Sequence, residues 1–129
     1  MQILPLYAAV LALMFVALSI RTLLLRRRLR IAVGDAGNPL MLRAMRVHAN
    51  FAEYVPLALL LIYLVEGQGA THLLVHGLGL CLLTGRGIHA YGVSQAKENF
   101  RYRVAGMGLT FATLVAASCY LLYRFVVNA

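Results

Sequence analysis

Apolar residues run almost unbroken through four stretches of this 129-residue chain, and the polar positions between them gather into three short clusters. The first stretch, Ile3 to about Leu25, has Pro5 near its start, where proline is tolerated in a helix. It ends in R-R-R-L-R, Arg26 to Arg30, and in the polar turn G-D-A-G-N-P, Gly34 to Pro39, which breaks the helix. The second opens at Pro39 with mixed character, is wholly apolar from Val55 to Val65, and closes at E-G-Q-G, Glu66 to Gly69. The third, about Thr71 to Val93, is rich in glycine. The loop Ser94 to Arg103 separates it from the last stretch, Val104 to Val127. About 20 helical residues cross a hydrocarbon core, so each stretch is long enough to span a membrane. The predicted architecture is all-α: one domain over residues 1–129, folded as a four-transmembrane-helix up-down-up-down bundle with spans at about 3–25, 39–66, 71–93 and 104–127.

Charge adds an orientation. Only 12% of residues are charged, against roughly a quarter in soluble domains, yet the net charge is +8 and the mean hydropathy +0.80. A body in lipid with basic loops against anionic headgroups fits these totals. A nucleic-acid partner is excluded, because the chain has little solvated face on which to display its charge. The loops after the first and third spans hold most of the Lys and Arg and the middle loop has none. The positive-inside rule then makes those two loops cytoplasmic and puts both termini on the far side. No basic segment precedes the first span, which reads as a retained span and not a signal peptide.

Cys81 and Cys119 lie inside apolar runs and read as packing residues. His72 and His76 are four apart, a spacing that can hold a metal, but no third ligand of clear spacing is near, and no metal is expected. Gly77, Gly79, Gly85 and Gly87 in the third span, and Gly106, Gly108, Ala112 and Ala116 in the fourth, allow close helix contact. Packing within one chain and packing between chains fit these small residues equally.

Candidate chemistry begins at R-V-H-A-N-F-A-E-Y-V-P, Arg46 to Pro56. At 100° per residue, and relative to Arg43, Arg46 falls at about 300°, Asn50 at about 340°, Glu53 at about 280° and Tyr54 at about 20°. These residues form one stripe that continues into the apolar span; His48, at about 140°, lies on the other side. A guanidinium and a carboxylate at membrane depth are costly unless paired or facing a wet cavity, so the stripe is a candidate site. An interhelical polar network, with Arg43 snorkelling to the interface, is the structural alternative. Arg86 and His89, one helical turn apart in G-R-G-I-H, Arg21 in the first span, and Arg103 at the entry to the fourth lie at the same depth. Several arginines with an Asn and a Glu suit a peptide-like anion, whose carboxylates would meet guanidinium forks and whose amino group would meet Glu53.

The segment L-R-A-M-R-V-H-A-N-F-A-E-Y-V-P-L, Leu42 to Leu57, resembles the R-x-x-x-N-x-x-E-x-x-P signature of the MAPEG family, the membrane-associated proteins in eicosanoid and glutathione metabolism. The G-D-A-G-N-P loop before it and the G-R-x-x-H motif after it are similar to bacterial members. Span number, spacing and orientation match along essentially the whole chain. The resemblance implies a homotrimer in the bacterial inner membrane, with glutathione bound between subunits near the cytoplasmic side. By position it implies glutathione contacts from Arg21, Arg46, Asn50, Glu53, Tyr54 and His89, with His48 where members carry Gln or His; Arg86, from the G-R-x-x-H motif, joins them as a candidate binding residue. Arg103 corresponds to the arginine proposed to activate the glutathione thiol, for transfer to a lipophilic electrophile or reduction of a lipid hydroperoxide. The chain departs from the better-known enzymes at Val93, where a tyrosine is frequent, and at Val104, where some members carry a hydroxyl. The length of the third loop also leaves Arg101 competing with Arg103.

Two other classes remain in view. One is a non-enzymatic membrane protein keeping the fold and a vestigial ligand site. The other is a small multidrug transporter, which couples to protons through a carboxylate in its first span; here that span has none.

Overall fold

A computed structural model describes residues 2–95, 97 and 99–128. Four helices follow one another: α1, Leu4–Leu29; α2, Pro39–Gly67; α3, His72–Ser94; and α4, Phe100–Asn128. Each is long and apolar enough to cross a membrane. Short connections reverse the chain between them, giving the all-α four-span bundle.

The helix ends differ from the apolar limits for local reasons. Arginine is a good helix former, and cations suit the C-terminal turn of a helix, so α1 runs on through Arg26, Arg27 and Arg28. It stops at Arg30, which adopts a left-handed φ of 56°, while the Ile31 amide returns to the Arg26 carbonyl at 3.0 Å. In the loop, Gly34 and Gly37 take φ of 69° and 70°. Asn38 then caps α2, its Oδ1 accepting from the Leu40 and Met41 amides at 3.0 and 3.2 Å, with Pro39 in the first turn. Thr71 caps α3. At α4 the Asn99 Oδ1 accepts from the Arg101 amide at 3.0 Å, so the helix starts at Phe100 and takes Arg101 and Arg103 into its first turn. At the opposite end of the bundle, Glu66 accepts the amides of Ile3 and Leu4, a carboxylate on the positive end of α1.

Helix α2 packs against all three others, whereas α1 and α4 do not meet among the described residues. The core holds Leu11, Phe51, Val55, Ala58, Ile62, Val65, Val75, Leu78, Leu82 and Ala117. The outward faces are apolar as well, with Leu13, Leu23, Leu60, Leu73, Leu80, Val115 and Leu122 exposed, as a lipid-facing surface requires. Helix α1 is buried only at Leu4, Tyr7 and Leu11, so its packing fades towards the arginine-rich end.

The closest pair is α3 with α4, and small residues allow it. A Cβ added at Gly106 would stand 2.6 Å from the His89 backbone nitrogen and 2.7 Å from the Gly85 carbonyl oxygen; one at Gly92 would stand 3.2 Å from the Arg103 nitrogen. Gly79 is filled by the Tyr7 ring, whereas Gly77, Gly87 and Gly108 meet nothing within 4 Å and face outward. Thr110 and Thr113 are buried in this pair with their hydroxyls donated back to the Gly106 and Leu109 carbonyls at 2.9 and 3.0 Å. Gly106→Ala is therefore expected to destabilise the chain by about 1–3 kcal/mol, since the methyl meets backbone that cannot turn aside. Gly108→Ala, pointing into open space, should leave stability unchanged or slightly higher. Circular dichroism of thermal unfolding in detergent measures both, the chain having no tryptophan to report by fluorescence.

Candidate functional site

A cavity of about 250 Å³ opens at the arginine-rich end, between the start of α2, the end of α3 and the first turn of α4. Arg43, Arg46 and Asn50 reach it from α2, spaced at three and four residues so that they share one face of the helix. His89 and Val93, one turn apart, reach it from α3, and Arg103 from α4. The glycine contacts at Gly92 and Gly106 bring His89 and Arg103 to the same wall: a larger side chain there would separate the two helices that carry them. Among the described residues no carboxylate lines the cavity.

Other candidates stand elsewhere. Arg86 is 1% exposed; its Nη1 donates to Asn50 Oδ1 at 2.9 Å and its Nη2 lies 3.8 Å from Met107 Sδ. It therefore supports a lining residue without lining the cavity itself. Glu53 is exposed, one turn beyond Asn50, and is not part of this wall. Tyr54 is half-buried, its ring edge-on to Phe111 of α4 at 5.6 Å. Arg21 donates to Ser94 Oγ at 2.6 Å, which ties α1 to the end of α3 outside the cavity.

His48 is not brought to the cavity. Its ring stacks on Phe15 at 4.7 Å, and its Nε2 lies 2.9 Å from Ser19 Oγ. The Ser19 hydroxyl donates to the Phe15 carbonyl at 2.9 Å, so the hydrogen between Ser19 and His48 belongs to the imidazole. The histidine thus joins α2 to α1, as its place on the far side of the stripe suggests.

Of the charged lining residues, Arg43 was not singled out as a site residue. Arg43, at the head of the stripe, lines the cavity, and its Nη1 also donates to the Val93 carbonyl at 3.3 Å. Its position three residues before Arg46 was the available signal. Arg101, two residues before Arg103, points elsewhere on α4 and is not a lining residue.

The MAPEG family model matches residues 4–123, nearly the whole chain. The chain belongs to the MAPEG family. Two Escherichia coli proteins named inner membrane protein YecN, from different strains, are each 38% identical to it over 110 residues, which is 85% of this chain and 82% of the relative. No solved structure matches it. Within this MAPEG chain the signature residues Arg46 and Asn50 face the cavity, while Glu53, the third of them, stands outside it.

Proposed function

We propose that this MAPEG protein is a glutathione-dependent transferase or peroxidase of the bacterial inner membrane, with both termini on the non-cytoplasmic side. The observation that carries the reading is the cavity where Arg43, Arg46, Asn50, His89 and Arg103 converge from three helices. Guanidinium groups bind carboxylates through paired, charge-assisted hydrogen bonds, and glutathione carries two carboxylates and two peptide carbonyls. Arg43, Arg46 and Asn50 would hold these groups. Arg103, opposite them, would keep positive charge near the thiol and favour its ionised form.

Bound glutathione would supply a thiol whose sulfur adds to a lipophilic electrophile or displaces its leaving group, or which, with a second glutathione, reduces a hydroperoxide to the alcohol and water as the disulfide forms. No nucleophilic side chain is then required of the protein. The second substrate would come from the bilayer, whose hydrocarbon adjoins the outward faces of α2 and α4. A homotrimer gives Glu53 and Arg21 a role, since neither lines the cavity of its own chain and a neighbouring subunit would bring both to a shared site. The name of the Escherichia coli relatives supports the inner-membrane location.

A binding protein without turnover is the second reading, and Val93 favours it: one turn beyond His89 the cavity wall offers no hydroxyl. Calorimetric titration of the detergent-purified protein with reduced glutathione tests the first reading. Saturable binding supports it; a flat titration at millimolar ligand removes it.

A further inference from the structure

Arg86 is the largest fully buried side chain among the described residues, and it is charged. A guanidinium so deep within a membrane span is costly and calls for a reason. Its Nη1 donates to Asn50 Oδ1 at 2.9 Å; its other hydrogen-bond partner is the weak acceptor Met107 Sδ at 3.8 Å, its Nε has none among the described residues, and Tyr54 lies within electrostatic reach. Packing alone does not account for the charge, because a methionine or leucine would fill the same space without desolvating an ion.

What the guanidinium does is fix an orientation. Arginine donates five hydrogens and accepts none, so the asparagine amide can meet it only with its oxygen. The oxygen of Asn50 is thereby turned towards α3, with one of its two lone pairs taken, and the NH2 group on the other arm of the amide is the end left to offer the cavity that Asn50 lines. An asparagine without such a lock turns over at little cost and can present either end to a ligand.

We propose that Arg86 is a positioning residue that locks the Asn50 amide with its NH2 as the cavity-facing group, so that the ligand group resting on Asn50 must be a hydrogen-bond acceptor. A carboxylate or a peptide carbonyl satisfies that requirement; an ammonium group does not. On this assignment Arg86 acts through Asn50 and does not touch the ligand. The proposal rests on the reading of the cavity as the glutathione site, and for that ligand it excludes the α-amino group from the position beside Asn50.

A double-mutant cycle tests it: Asn50→Ala, Arg86→Met and the two together, with reduced glutathione as the probe in calorimetry and the thermal midpoint measured without ligand. Each single change is expected to weaken glutathione about tenfold, the scale of one lost hydrogen bond in a desolvated site, and the pair no more than either alone. Arg86→Lys, which also only donates, should recover part of the affinity. Asn50→Asp should keep the thermal midpoint, as a carboxylate facing Arg86, and yet bind glutathione no better than Asn50→Ala, because the NH2 is gone. Additive losses in the cycle would mean that Arg86 contacts the ligand itself and would overturn the proposal, as would wild-type affinity in Asn50→Asp. Should Arg86→Met fail to fold, Arg86→Lys and Asn50→Asp still decide the matter. Should the wild type bind no glutathione, the functional reading falls, and the lock is judged by the thermal midpoints: coupled shifts keep it, additive shifts remove it.

Discussion

Arg103→Ala is expected to lower glutathione-dependent turnover at neutral pH by about tenfold while changing glutathione affinity much less. A thiol with a pKa near 8.5 is only a few per cent ionised at pH 7, and a nearby cation lowers that value. Lowering it by about two units raises the thiolate fraction roughly 25-fold, but a less basic thiolate is a weaker nucleophile, which offsets most of that gain. The remainder of the effect has to come from charge held at the cavity wall during the reaction. The sign of the pH dependence follows. Without Arg103 the thiol ionises at its ordinary pKa, so the variant should regain rate as pH rises towards about 8.5, whereas the wild type should already be on its plateau. Arg103→Lys, which keeps the charge and loses the fork, should fall between them. Turnover measured from pH 6 to 9 with a lipophilic electrophile reads all three. An equal fractional loss at every pH would assign Arg103 to positioning and not to thiol ionisation.

Arg46→Ala should act on affinity. A charge-assisted hydrogen bond to a carboxylate is worth about 1.5–3 kcal/mol, so the variant is expected to bind glutathione about ten- to a hundredfold more weakly. Glu53→Ala should also weaken binding if a neighbouring subunit brings that carboxylate to the ligand's amino group. His48→Ala is the control on the same helix: its ring packs on Phe15 and meets Ser19, so stability should fall while affinity holds. Calorimetry on the three proteins separates these outcomes. Unchanged affinity in both Arg46→Ala and Glu53→Ala would remove the site assignment.

Much of the fold was legible in the sequence, because a membrane span needs length and apolarity and both are visible in one dimension. Helix ends were less so. Apolarity marks where a chain enters lipid, but a helix ends where its capping is satisfied, and α1 accordingly runs through three arginines to the left-handed turn at Arg30 while α4 begins at the Asn99 cap. The stripe on α2 was legible by periodicity, which sets Arg43, Arg46 and Asn50 on one face and His48 on another. Which helix meets that face was not. The pairing of α3 with α4 depends on three of the glycines, Gly85, Gly92 and Gly106, while Gly77, Gly87 and Gly108 look no different in the sequence and face outward. The burial of Arg86 was equally hidden, since its place one turn from His89 fits a lining residue as well as one behind the wall.

The ultraviolet absorbance of the bound glutathione thiol, followed at neutral pH in the detergent-purified protein, bears most directly on the proposed chemistry. A thiolate band that appears on mixing, saturates with the calorimetric binding curve and disappears in Arg103→Ala is the expected result. Saturable binding with no thiolate band at neutral pH would contradict it and leave a protein that holds glutathione without activating it.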